Sequence, residues 1–224
     1  MDKAFWEQRW QNRDIAFHQP HVYEQLKQLW PLLNLPRESA VFVPMAGKSR
    51  DMIWLATQGH RIIGVELSDI AVREFFTEGG QTPARTSEGD FEISSAGPFS
   101  LYCGDFFDLR PEALSDVVAV YDRAALIALP AAERKRYAET LAHILPRDAI
   151  IFLVALDYPE HEISGPPFSV PRQEIERLFG ETFKVAVLDA HDGLAACANL
   201  RKRGVTRLEE TTYLLRRHPI ERQA

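Results

Sequence analysis

The sequence predicts a doubly wound α/β fold on a mostly parallel sheet, and three features carry that prediction. Short apolar runs, such as Ala40-Val41-Phe42-Val43 and Val117-Val118-Ala119-Val120-Tyr121, alternate with stretches whose apolar residues recur at the helical period. The runs are apolar throughout rather than every second residue, as in strands covered on both faces. The first two are separated by a helix-length crossover, which permits parallel pairing. With 224 residues and 46% hydrophobic content, a single domain spanning 1–224 is expected, with a helical part at 1–36 ahead of an α/β core at 37–224.

Phe5, Trp6, Arg9 and Trp10 stand at helical spacing and predict a short amphipathic helix over residues 2–10. After the break at Phe17-His18-Gln19-Pro20, Val22, Leu26, Leu29, Trp30 and Leu33 predict a second helix ending before Pro36. The first strand follows at 40–43 and is stopped by Pro44. Residues 45–49 then turn into a third helix that buries Met52, Ile53, Leu55 and Ala56 and stops at Gly59. Arg61-Ile62-Ile63-Gly64-Val65-Glu66 completes a βαβ unit. Residues 68–78 read as helix, 79–89 as a turn-rich tract, and 91–94 with 99–103 as a hairpin around Ala96-Gly97-Pro98. Beyond the strand at 117–121 come a helix over 131–145 and a strand at 150–156. A Pro-rich loop at 159–171, a helix near 174–178 and a closing strand pair at 184–188 and 211–215 follow.

Composition narrows the function classes. A net charge of −6 provides no excess of cations to neutralise a nucleic-acid backbone, so no nucleic-acid partner is expected. The basic run Arg201-Lys202-Arg203 reads as a solvated loop. Cys103 and Cys197 are far apart and lack metal-type spacing, which fits a reducing, cytoplasmic setting with neither disulfide nor metal site. No apolar window suggests export or membrane anchoring.

In open α/β sheets, ligands bind beyond the carboxyl ends of the strands, so the residues after each apolar run are the candidates. Gly47 lets a ligand approach the backbone, and Glu66 lies 19 residues later, near the roughly 20 expected of a ribose-binding carboxylate. A solvated edge glutamate is the bland alternative. Asp105 is either an acceptor for an adenine amino group, with Phe106 against the ring, or an N-cap. Arg123 either pairs with Asp122 or clamps an anion, such as a carboxylate or a thiolate. Trp10 and Phe17 read first as core, and His18 as a capping or solvated histidine with a candidate role as base. Pro44-Met45-Ala46-Gly47 lacks the glycines of a dinucleotide fingerprint, which disfavours NAD, and Gly47-Lys48-Ser49 ends like a P-loop but has Phe42 where that loop needs glycine.

Taken in order, Trp6-Glu7-Gln8-Arg9-Trp10, Ala16-Phe17-His18-Gln19, Val43-Pro44-Met45-Ala46-Gly47-Lys48-Ser49, Gly64-Val65-Glu66-Leu67-Ser68 and Tyr121-Asp122-Arg123-Ala124-Ala125-Leu126 resemble the bacterial thiopurine S-methyltransferases. The resemblance covers the whole chain. It implies a seven-stranded class I, Rossmann-like methyltransferase fold whose N-terminal helices form a lid. It also implies S-adenosyl-L-methionine as cofactor, S-adenosyl-L-homocysteine as product, and cofactor contacts at Trp10, Met45, Glu66, Asp105, Phe106 and Arg123. Phe17 would face a small aromatic or heterocyclic thiol, and bacterial members are linked to selenium and tellurium oxyanion metabolism. Gly104-Asp105 departs from the smaller uncharged pair of animal members. A monomer with no metal is expected, with Arg123 favouring the thiolate and His18 as the secondary candidate for catalysis. The alternatives are an NAD-dependent oxidoreductase on a similar sheet and a noncatalytic adenosyl-ligand sensor.

Overall fold

The computed structural model describes residues 3–15 and 17–219, so Ala16 of the second motif lies outside the described residues. The chain divides into two compact units, 1–121 and 122–224.

The first unit opens with α1 (Lys3–Gln11), in which Trp10 alone is buried, and α2 (Glu24–Leu29). The expected second helix is shorter than its apolar pattern. Pro31 has no N–H to continue the α ladder, and the chain tightens into a 3-10 turn at Trp30–Leu33. Then come β1 (Ala40–Val43), α3 (Arg50–Thr57), β2 (Arg61–Glu66), α4 (Asp69–Glu78), β3 (Ala84–Glu88), β4 (Phe91–Ala96), β5 (Phe99–Cys103) and β6 (Val117–Asp122). Their sheet order is β3-β4-β5-β2-β1-β6. β5, β2, β1 and β6 run parallel, with Val43 opposite Gly64 and Glu66 opposite Cys103.

All four residues of β1 are at most 5% exposed, so this strand is buried on both faces, as its unbroken apolar run requires. Gly64 fits that interior because a Cβ there would lie 2.6 Å from Leu101 Cδ2. Two expectations need correction. The turn-rich tract contains β3, an edge strand with every residue exposed that pairs antiparallel with β4. On α3, Ile53 faces outward at 37% exposure, whereas Asp51 is 1% exposed and takes a place in the interior.

The second unit contains α5 (Ala125–Ala128), α6 (Ala131–Ile144), β7 (Ile150–Asp157), α7 (Arg172–Phe179), β8 (Phe183–Asp192), α8 (Ala198–Lys202) and β9 (Glu209–Arg217). Its strands run β7-β9-β8, antiparallel throughout. Arg134 is 1% exposed on α6 and is kept there by its partners: Nε donates to Leu129 O at 2.9 Å and a terminal nitrogen to Glu174 Oε2 on α7 at 2.7 Å. Arg201 and Lys202 form the last turn of α8 rather than a loop, where cations complement the helix dipole, and Arg203 donates to Pro166 O. Among the described residues no helix is long and apolar enough to cross a membrane.

Candidate active site

The turn after β1 reverses through two left-handed residues, Met45 at φ +47° and Gly47 at φ +54°. Glycine adopts this conformation freely, whereas methionine carries about 1–2 kcal/mol of strain there, so the surroundings must hold the turn. They do so from β2: Ala46 N donates to Val65 O at 2.9 Å and Gly47 N to Glu66 Oε2 at 2.7 Å. Over the turn lies Trp10, 4% exposed, with ring carbon Cζ2 3.5 Å from where a Cβ on Gly47 would sit. Phe17 packs edge-on against Trp10 and Trp6, its centroid 5.5 Å from each, and Arg9 lies over its ring at 5.6 Å. Phe17 keeps 37% of its surface exposed.

Glu66 is buried, and burial pushes its pKa up against the backbone donors that oppose the shift. Oε2 accepts from Gly47 N and Oε1 from Ser68 N at 2.8 Å. A carboxylate offers about four lone-pair sites, and the backbone N–H groups of Gly47, Ser68 and Leu67 take three of them. The solvated-edge alternative does not describe this side chain.

Beyond β5, Gly104 N donates to Glu66 O at 3.0 Å, which brings Asp105 to the same strand end. Asp105 caps the following 3-10 turn, Oδ1 accepting from Phe107 N at 3.0 Å, so the capping alternative is realised. The Phe106 ring is 3% exposed and stacks on Phe42 with centroids 6.4 Å apart, an interior position. Cys103 stands opposite Glu66, and burial, Asp69 and Glu66 push its thiol up to about 11, so it stays protonated at neutral pH.

Two residues of this region escaped the sequence reading. Lys48 is 7% exposed, with Nζ 2.7 Å from Glu74 Oε2 and 2.5 Å from Glu78 Oε1, both on α4, which explains why the P-loop-like Gly47-Lys48-Ser49 is no phosphate cradle. Asp51 accepts from Tyr23 N at Oδ1 and from Tyr121 OH at Oδ2, each at 2.8 Å, joining the N-terminal segment, α3 and β6. The available signal was an aspartate four residues before Leu55 on the buried face of α3.

His18 lies close enough to Glu78 for its charge to help lower that carboxyl, after the larger effect of Lys48. Arg123 belongs to the second unit, half-buried, where its charge opposes the upward push of burial and Glu210 on the Cys197 thiol, which is held at about 11. Its neighbour Asp122 is 1% exposed and accepts from Ala125 N at 2.9 Å, Leu126 N at 3.3 Å and Tyr137 OH at 2.7 Å. The structure thus joins Gly47 to Glu66 by a hydrogen bond, lays Trp10 over the turn that includes Met45, and brings Asp105 to the neighbouring strand end. Among the described residues no group of three or more His, Cys, Asp or Glu could hold a metal ion.

Solved structures show the same fold. The 1,6-didemethyltoxoflavin-N1-methyltransferase of Burkholderia thailandensis, solved with 1,6-didemethyltoxoflavin and S-adenosylhomocysteine, matches with a TM-score of 0.63 at 14% identity, covering 96% of this chain and 87% of that one. A TehB-like SAM-dependent methyltransferase from Corynebacterium glutamicum matches at 0.57 and 14% identity, covering 96% and 98%. The architecture is that of a class I methyltransferase, to which β3 and β4 add an antiparallel edge. Sequence relatives are nearer: a thiopurine S-methyltransferase of Xanthomonas campestris is 47% identical over 217 residues, 97% of this chain and 100% of the relative. One of Methylococcus capsulatus is 44% identical over 217 residues, 96% and 98%. The model of the family described as thiopurine S-methyltransferase (TPMT) matches residues 1–218, and the chain belongs to that family and is a methyltransferase.

Proposed function

We propose that this enzyme transfers the methyl group of S-adenosyl-L-methionine to the sulfur of small aromatic or heterocyclic thiols, thiopurines among them. The observation that carries the reading is Glu66, a buried carboxylate at the end of β2 bonded to the glycine turn that Trp10 covers. Family membership sets aside the NAD-dependent and noncatalytic alternatives. The match over residues 1–218 supports reading the whole chain as one methyltransferase domain. Two cysteines without disulfide-type spacing support a cytoplasmic setting, and the acidic net charge supports a small-molecule rather than a nucleic-acid acceptor.

When bound, the cofactor supplies an electrophilic methyl carbon on a sulfonium, and the chain's residues bind, align and dry the site. Glu66 accepts from the ribose hydroxyls, and the turn at Met45 and Gly47 admits the ligand against backbone. Asp105, already fixed by its cap, accepts from the adenine amino group, with Phe106 supporting the turn from the interior. Trp10 and Phe17, on and beyond α1, act as the lid, excluding water and presenting apolar rather than anionic surface beside a charge that is lost in the transition state. Arg123 holds the acceptor as its thiolate, because a permanent cation favours the ionised sulfur, and His18 is the secondary candidate for the proton. Proximity and alignment provide most of the acceleration in a displacement of this kind. Selenium and tellurium compounds are further acceptors on the same reading, being soft nucleophiles like thiolates.

The test is transfer of radiolabelled methyl to 6-mercaptopurine and thiophenol by wild type, Arg123→Ala and Arg123→Lys. Labelled thioether is expected from wild type, with turnover at saturating cofactor reduced about tenfold or more in Arg123→Ala and less in Arg123→Lys. Tight S-adenosylhomocysteine binding without label on any thiol would overturn the acceptor class, and equal, negligible losses would remove Arg123 from the mechanism.

A further inference from the structure

The turn that carries Met45 and Gly47 continues into Lys48, whose side chain is only 5% exposed and reaches α4. Glu74 and Glu78 stand four residues apart on that helix, a spacing at which like charges repel, and the Lys48 ammonium lies between them at 2.7 and 2.5 Å. Burial works against the ammonium, but the hydrogen bonds and charges of both glutamates outweigh it and raise its pKa above the ordinary lysine value. Lys48 engages Oε2 of Glu74. The other oxygen, Oε1, lies 3.3 Å from the guanidinium of Arg13. Arg13 sits at φ +58°, two residues beyond the end of α1, and its N–H donates to Trp10 O at 3.2 Å. One carboxylate therefore grips both the turn that holds Gly47 and the exit from the helix whose Trp10 covers Gly47.

We propose that Lys48 is a positioning residue for cofactor binding: by fixing Glu74 it ties the Met45–Gly47 turn to Arg13 and sets how firmly Trp10 closes over Gly47. An exposed pair such as Arg13 with Glu74 contributes little by itself, and here its value comes from a partner already immobilised by a buried cation. The proposal rests on the reading of Gly47 and Glu66 as the cofactor cradle.

The test compares full-length Lys48→Met, Glu74→Gln and Arg13→Gln with wild type in methyl transfer to 6-mercaptopurine and in amide hydrogen exchange. The KM for S-adenosylmethionine is expected to rise about fivefold or more in Lys48→Met and Glu74→Gln and about twofold in Arg13→Gln, with kcat at saturating cofactor within about twofold of wild type. Exchange across residues 9–15 is expected to accelerate in all three while exchange in β1 and β2 keeps the wild-type rate, and Arg13→Lys is expected to restore protection in part. A merely structural lysine would instead lower kcat and loosen β1 and β2 together. Glu66→Gln separates the two ideas: unchanged S-adenosylhomocysteine affinity in that variant overturns the cradle and the proposal with it. Weakened affinity there, with unchanged KM and unchanged exchange across 9–15 in Lys48→Met, overturns the Lys48 role alone. Should Lys48→Met fail to fold, unchanged KM and exchange in both Glu74→Gln and Arg13→Gln would overturn it equally.

Discussion

Glu66 in the first unit and Asp122 in the second are both acids at the end of an apolar strand, both nearly inaccessible, and both bonded to backbone N–H groups. They differ in where their donors come from. Asp122 takes two N–H groups at the start of α5 on Oδ1 and the Tyr137 hydroxyl on Oδ2. Glu66 is held by backbone alone, Oε2 by Gly47 N and Oε1 by Ser68 N with Leu67 N beside them, and so is tied to the turn that carries Gly47. Burial raises the pKa of both, to about 6 for Asp122. A strand-end carboxylate whose donors come from its own following helix and from the interior is a structural cap. One bonded across to the glycine turn of a neighbouring strand is the group proposed to meet the ligand.

The largest effect expected from this contrast is on stability. Asp122→Ala strands two backbone N–H groups and the buried Tyr137 hydroxyl, and at about 1–3 kcal/mol for each unsatisfied group the loss is expected to reach about 3–5 kcal/mol in urea unfolding. A loss below about 1 kcal/mol would mean that water or rearrangement replaces the cap, and the contrast with Glu66 would lose its basis.

The next effect falls on binding. Glu66→Gln keeps the shape but places an amide NH2 against either the Gly47 or the Ser68 N–H, and removes the charge proposed to meet the ribose. S-adenosylhomocysteine is expected to bind about ten- to a hundredfold more weakly by calorimetry, which corresponds to about 1.4–2.8 kcal/mol. Asp122→Asn, which retains an acceptor for α5, is expected to change that affinity less than about threefold. Equal losses in the two variants would erase the distinction between cap and ligand group.

Much of this was legible before the structure, for reasons that lie in particular residues. β1 and residues 62–65 of β2 announce themselves because both faces are buried and these positions must be apolar or small. Glu66 could be singled out because a carboxylate directly after such a run demands a reason. β3 was hidden because Ala84–Glu88 is exposed along its whole length and is held by backbone pairing to β4, which leaves no hydrophobic period. Lys48 and Asp51 were hidden for a different reason. Their partners lie 26, 30, 28 and 70 residues away, so their roles depend on tertiary placement and not on local pattern. Asp105 was legible as two alternatives, and its cap to Phe107 N shows that local competition for the carboxylate is real.

A pH series sharpens the comparison further. The carboxyl of Asp122 titrates at about 6 in the folded protein against 3.8 in an unperturbed aspartate. Between those values the folded state binds the additional proton, so this group's contribution to stability is full below pH 3.8 and is lost as pH rises through 6. The difference in unfolding free energy between wild type and Asp122→Asn is therefore expected to move against wild type across that window, by at most about 1.4 kcal/mol per pH unit. A difference that stays flat from pH 4 to 6 would show that the three donors outweigh burial and keep Asp122 ionised.

The smallest effect tests the Gly47 side of the ligand group. At φ +54° an alanine is strained by about 1 kcal/mol, yet its methyl would meet Trp10 Cζ2 at 3.5 Å, an ordinary contact with room to stand. Gly47→Ala is therefore expected to lower the unfolding free energy by about 1 kcal/mol through backbone strain, with the Gly47 N–H bond to Glu66 kept and S-adenosylhomocysteine affinity reduced about two- to threefold. A loss of affinity as large as that of Glu66→Gln at the same modest cost in stability would mean that the ligand presses directly on Cα of Gly47. The glycine would then be required for close approach to the cofactor, and its conformation would be the lesser reason for its presence.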